Sequence, residues 1–132
     1  MAITSRVKTT KAKLSKENAS DIVKMAAIQM AWGPYVGSNL SEAERLIEIA
    51  VNQGARLIVL PEYFAIMGLK DTDKIKVREE EGHGQIQDFL SNTAKKHKVW
   101  IIGGSIPLSS KSPNKVRNSC LVFDDKGKQV AR

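Results

Sequence analysis

Leu57, Ile58, Val59 and Leu60 follow one another with no polar residue between them, and Pro61 and Glu62 come immediately after. An unbroken apolar run of this length reads as a strand covered on both faces, since a strand with one face in water would alternate. Pro61 has no backbone N–H to offer a neighbouring strand, so it ends the ladder. Glu62 is therefore expected at the carboxyl end of a buried strand, the edge where ligand crevices form in open α/β sheets. An acid there is a better catalytic candidate than one on a helix surface, the plain alternative being a solvated loop carboxylate.

The segments on either side supply the rest of an α/β pattern. Met25 to Met30 is a short, mostly apolar strand, ended by Trp32, Gly33 and Pro34. Asn39 with Glu42, or Ser41 with Glu44, has capping-box spacing, and Ala43, Leu46, Ile47 and Ala50 then repeat at helical intervals until Gly54. Strand, helix and strand make a βαβ unit, whose right-handed crossover leaves residues 26–29 and 57–60 parallel. The polar stretch 67–84 is expected to be loop with some helix, bordering the crevice. Residues 85–98 form a second amphipathic helix with Ile86, Phe89, Leu90 and Ala94 on one face, and Lys95, Lys96 and Lys98 near the negative end of its dipole. A third strand over 99–103 is broken by Gly104, Ser105 and Pro107. After a loop at 109–114, residues 118–123 make a strand that Asp124 to Gly127 turn back toward 129–132.

With 132 residues the chain is at most one domain. Residues 1–22 read as a flexible basic tail, because Lys, Ser, Thr and Asn dominate and few apolar groups are present to offset ordering entropy. The folded part is expected from residue 23 to 132. A net charge of +7 invites a nucleic-acid partner, but beyond the tail the basic residues are mixed with acids, and no aromatic stacking platform accompanies them. No nucleic-acid partner is expected. No segment approaches the roughly 18 apolar residues of a membrane span, so no membrane is expected either. The single cysteine, Cys120, excludes an internal disulfide framework and fits a reducing, cytoplasmic setting. Cys120 lies mid-strand in this reading, as a small core hydrophobe rather than a nucleophile. His83 reads as a solvated loop residue and His97 as a complement to a helix dipole. Two histidines and one cysteine at these spacings imply no metal, and the glycines match no phosphate-binding pattern.

Four segments in order, KMAAIQM, GARLIVLPEYF, VWIIGGSIPL and RNSCLVFDDKGKQVAR, resemble the N-terminal half of a carbon-nitrogen hydrolase of the nitrilase superfamily. LPEYFAIMG with the following DTDK, and VRNSCLVFD, are most similar to the ω-amidase and deaminated-glutathione amidase branch. The resemblance implies an α/β fold, the N-terminal half of an α-β-β-α sandwich and incomplete as such. It also implies a Glu-Lys-Cys site with no cofactor, acting on a small-molecule amide, in a full-length parent that is a homo-oligomer. In that chemistry a cysteine attacks the amide carbon, a carboxylate moves protons and a lysine steadies the oxyanion. Glu62 matches the family's general base. The lysine and cysteine positions of the family lie beyond Arg132. Lys126 and Lys128 precede the lysine position, and its role does not pass to them. The expectation is a carbon-nitrogen hydrolase chain that is inactive alone, with a noncatalytic binding module or half of a split enzyme as the alternative.

Overall fold

The computed structural model describes the backbone of residues 6–11 and all of residues 22–132. A six-stranded sheet forms its frame. β1 (Arg6–Lys11) runs antiparallel to β2 (Lys24–Gln29). β2 is parallel to β3 (Leu57–Val59), which is parallel to β4 (Trp100–Ile102). Two helices make the crossovers, α1 (Val36–Asn52) and α3 (Gln85–His97), with a single turn of helix, α2 (Asp73–Lys76), between them in sequence. The chain then leaves the main sheet for a separate hairpin, β5 (Ile106–Ser109) and β6 (Val116–Ser119). It returns as β7 (Val122–Phe123) beside β4 and β8 (Gln129–Ala131) at the edge.

Strand register explains which residues are in the core. Ala26, Ile58, Ile101 and Phe123 stand side by side across four strands, and all four are buried. They meet Ala43, Leu46, Ile47 and Ala50 of α1, and Ile86, Leu90 and Ala94 of α3, in one apolar cluster. Burying an Ile or Leu completely is worth roughly 1.5–3 kcal/mol, so this row and the two helix stripes dominate the stability. The alternate row, Ala27, Val59, Ile102 and Val122, points the other way because successive side chains in a strand face opposite sides. Among the described residues no element covers it, and Trp100 on that side is 44% exposed. The apolar run 57–60 is thus covered on one face and open on the other.

Several local expectations are corrected. Residues 6–11 of the expected tail are a strand: the β-branched Val7, Thr9 and Thr10 suit a pleated ribbon, and it pairs along the edge of β2. Residues 1–5 and 12–21 lie outside the described residues. The first helix begins at Val36, ahead of both capping boxes, and Tyr35 at its N-cap makes no side-chain cap. Asn39 is buried and serves the preceding loop instead, accepting from Gly33 N at 2.9 Å and donating to the carbonyls of Gly33 and Ala65 at 2.7 and 2.9 Å. The strand expected over 118–123 is two strands in two sheets, because Gly103 N donates to Leu121 O at 2.8 Å and pulls the chain across after Ser119.

The N-terminus of α3 is capped from outside the helix. The Glu79 carboxylate accepts from Ile86 N at 2.5 Å and from Gln87 N and Nε2 at 3.1 Å. Gly84 allows this approach: a Cβ there would lie 2.2 Å from Glu79 Cδ. Glu79 is itself fixed to β5 through its N–H to Pro107 O and its carbonyl to Ser109 N. Glu79→Ala should destabilise the chain by about 2 kcal/mol, the loss of a charged cap over two helix donors, read as a lower urea midpoint. An unchanged midpoint would mean that water replaces the carboxylate.

Candidate active site

Glu62 follows β3 by three residues, in a turn held from below. Leu60 N makes the last ladder bond, to Ile102 O at 3.0 Å, and residues 62–65 then turn, closed by Ile66 N to Tyr63 O at 2.9 Å. Tyr63 takes a left-handed backbone, φ 48°, which is strained for a residue with a side chain. Its N–H donates to Ser105 Oγ at 3.1 Å, and Ser105 is buried. Gly104 lies so close beneath that a Cβ would sit 1.9 Å from Pro61 O. The connection between β4 and β5 thus acts as a wedge that shapes the turn presenting Glu62.

The Glu62 side chain is exposed at the meeting of two open grooves. One, of about 490 Å³, has walls of Trp32, Tyr63, Met67 and Lys74. The other, of about 390 Å³, is lined by Ile102, Ser105, Asn118 and Cys120. Asn118 Nδ2 donates to Glu62 Oε1 at 2.7 Å. Asn118 is placed by the pairing of β6 with β5, where it stands opposite Pro107. One carboxylate oxygen is therefore tethered to a neutral donor. In the first groove, Lys74 Nζ stands 3.9 Å from the centroid of the Tyr63 ring. Burial pushes the Tyr63 phenol above its ordinary range, with the charge of Glu62 adding to the effect.

Cys120 is not the core residue expected. It is exposed, in the crossing between β6 and β7, and it lines the second groove with Glu62. The groove walls desolvate its thiol and push its pKa up, so it is protonated at neutral pH and poorly suited to attack an amide. His83 is exposed in the loop before α3, and His97 lies in the last turn of α3. Neither lines the two grooves at Glu62. Among the described residues no three metal-binding side chains cluster, and no helix is long and apolar enough to cross a membrane. Asn118, Ser105 and Lys74 escaped the sequence reading. Asn118 and Lys74 lie in VRNSCLVFD and DTDK, but their contacts with the Glu62 turn come from distant elements.

The architecture recurs in solved structures. Saccharomyces cerevisiae Nit3, a member of branch 10 of the nitrilase superfamily, superposes with a TM-score of 0.73 at 30% identity, covering 83% of this chain and 42% of that one. The family model for carbon-nitrogen hydrolase matches residues 24–132. The chain belongs to the carbon-nitrogen hydrolase family. It is 35% identical over 108 residues to deaminated glutathione amidase of Synechocystis sp., covering 81% of this chain and 39% of the relative. It is also 35% identical over 104 residues to omega-amidase NIT2 of Danio rerio, covering 79% of this chain and 36% of the relative. The chain thus spans less than half the length of these relatives.

Proposed function

We propose that Glu62 is the general base of an amide-hydrolysing Glu-Lys-Cys site, acting on a small non-peptide amide, whose lysine and cysteine come from sequence beyond Arg132. The observation that carries this reading is the tethered carboxylate at the carboxyl end of β3, open to two grooves. Such a carboxylate has one oxygen held by Asn118 and the other available for proton transfer. In the proposed cycle it takes the proton of a cysteine thiol as the sulfur adds to the amide carbon. It returns that proton to the departing ammonia, leaving a thioester, and then draws a proton from the water that cleaves it. The lysine stabilises the oxyanion at each addition. A cytoplasmic setting accords with the free Cys120, and a homo-oligomeric parent is part of the same reading.

The open face of the sheet favours a related second reading, in which the chain is a binding module or the half of a split enzyme. A row of half-buried Val59, Ile102 and Val122 beside Trp100 needs an apolar cover to leave water. Both readings are tested together by assaying short amides with the purified chain alone and with the C-terminal portion of an amidase relative, added separately or fused. The chain alone should show no turnover, and the reconstituted protein should. Turnover by the chain alone that Glu62→Gln abolishes would overturn the need for outside residues. Absence of both complex and turnover on reconstitution would overturn the split-enzyme reading.

A further inference from the structure

Asn118 meets Glu62 with only half of its side-chain amide. Its Nδ2 donates to Glu62 Oε1 at 2.7 Å. A carboxylate accepts hydrogen bonds and has none to donate, so this contact also fixes which way round the Asn118 amide lies. The nitrogen faces Glu62, and the carbonyl oxygen, Oδ1, is left over. Among the described residues nothing donates to Asn118 Oδ1, and nothing donates to the second carboxylate oxygen, Glu62 Oε2. Both residues are exposed and line the groove of about 390 Å³, which Val59 and Ile102 give an apolar wall. Ser105 Oγ, on the same groove, already accepts from Tyr63 N. Two unmatched acceptors on two groups already bonded to each other ask for a pair of N–H donors carried on one atom.

We propose that Asn118 is a specificity-determining residue, whose Oδ1 accepts one N–H of the amide to be cleaved while Glu62 Oε2 accepts the other. This rests on the reading of Glu62 as the acid-base residue of an amide-cleaving site, and it names the residue that holds the nitrogen there. The bond between Nδ2 and Oε1 orders both acceptors before a ligand arrives, which lessens the cost of binding. The departing nitrogen then lies against the carboxylate oxygen that returns its proton, and the acyl part is left to Val59 and Ile102. An N-methyl amide has a single N–H. It satisfies one acceptor and not both, and its methyl group displaces water from the other without replacing that water's hydrogen bond.

The test is a pair of titrations of the 132-residue chain, with butyramide and with N-methylbutyramide, followed by ¹H–¹⁵N NMR. The side-chain NH₂ of Asn118 and the backbone amides of Ser105 and Cys120 are the reporters. Butyramide should reach its midpoint at about fivefold lower concentration than N-methylbutyramide, the usual weight of one neutral hydrogen bond. Asn118→Leu and Asn118→Ala should each bring the two midpoints together, since one acceptor then remains and one N–H suffices. Asn118 is exposed, so both variants should fold, with the backbone amides of Glu62 and Tyr63 unmoved. Equal midpoints in the unsubstituted chain, or a preference that survives both substitutions, would overturn the role of Asn118 and leave the reading of Glu62 standing. If neither compound shifts any resonance of the groove, the reading of an amide site at Glu62 fails, and the inference with it.

Discussion

Glu62→Gln in the reconstituted protein should lower kcat by about 10²- to 10⁴-fold while leaving the fold and the complex intact. Glutamine fills nearly the same volume, and its amide oxygen can still accept from Asn118 Nδ2, which donates to Glu62 Oε1 at 2.7 Å. The turn is held by other groups, Ser105 Oγ at Tyr63 N and the close contact of Gly104 with Pro61. What is lost is the ability to take and return a proton. The loss should appear in kcat and kcat/KM together, with thermal unfolding unchanged, because an acid-base residue acts in the transition state. A variant within threefold of the original rate would remove Glu62 from the chemistry and reduce it to a solvated loop acid.

Gly104→Ala should be the most damaging single substitution in the turn's support. Gly104 has φ +54°, and an added methyl would stand 1.9 Å from Pro61 O and 2.7 Å from Leu60 O. Both obstacles are backbone, so no side chain can swing aside. Overpacking and a left-handed backbone together should destabilise by about 4 kcal/mol. Against a total stability of about 5–15 kcal/mol, and with one sheet face uncovered, that leaves little folded chain. Urea unfolding followed by circular dichroism measures it. Gly37→Ala is the control: Gly37 lies in α1 with nothing within 4 Å of an added Cβ, and the change should stabilise by up to about 1 kcal/mol. A Gly104→Ala chain as stable as the original would mean that the wedge under Glu62 is loose.

The sequence made some of this legible because the signals were local. The apolar runs placed β2, β3 and β4, the helical spacing of Ala43, Leu46, Ile47 and Ala50 placed α1, and Pro61 located the end of the strand before Glu62. What it could not show was set by contacts between distant segments. Asn39 looks like a cap until Gly33 and Ala65 claim its side chain. Residues 118–123 look like one strand until Leu121 O accepts from Gly103 N and the chain changes sheets. The same crossing exposes Cys120, which a strand pattern alone assigns to the interior. Glu62 was visible as a candidate through its neighbours in sequence, whereas Asn118 reaches it from 56 positions away, and Ser105 and Lys74 reach Tyr63 beside it from 42 and 11 positions away.

The uncovered row through Val59, Ile102 and Val122 sets two selective demands against each other. Lysine or glutamate at those positions would make the isolated polypeptide easier to keep dispersed at high concentration. The same changes would deny any second layer a dry surface to settle on. Screening variants for soluble expression alone would therefore enrich chains that have lost the capacity to be completed.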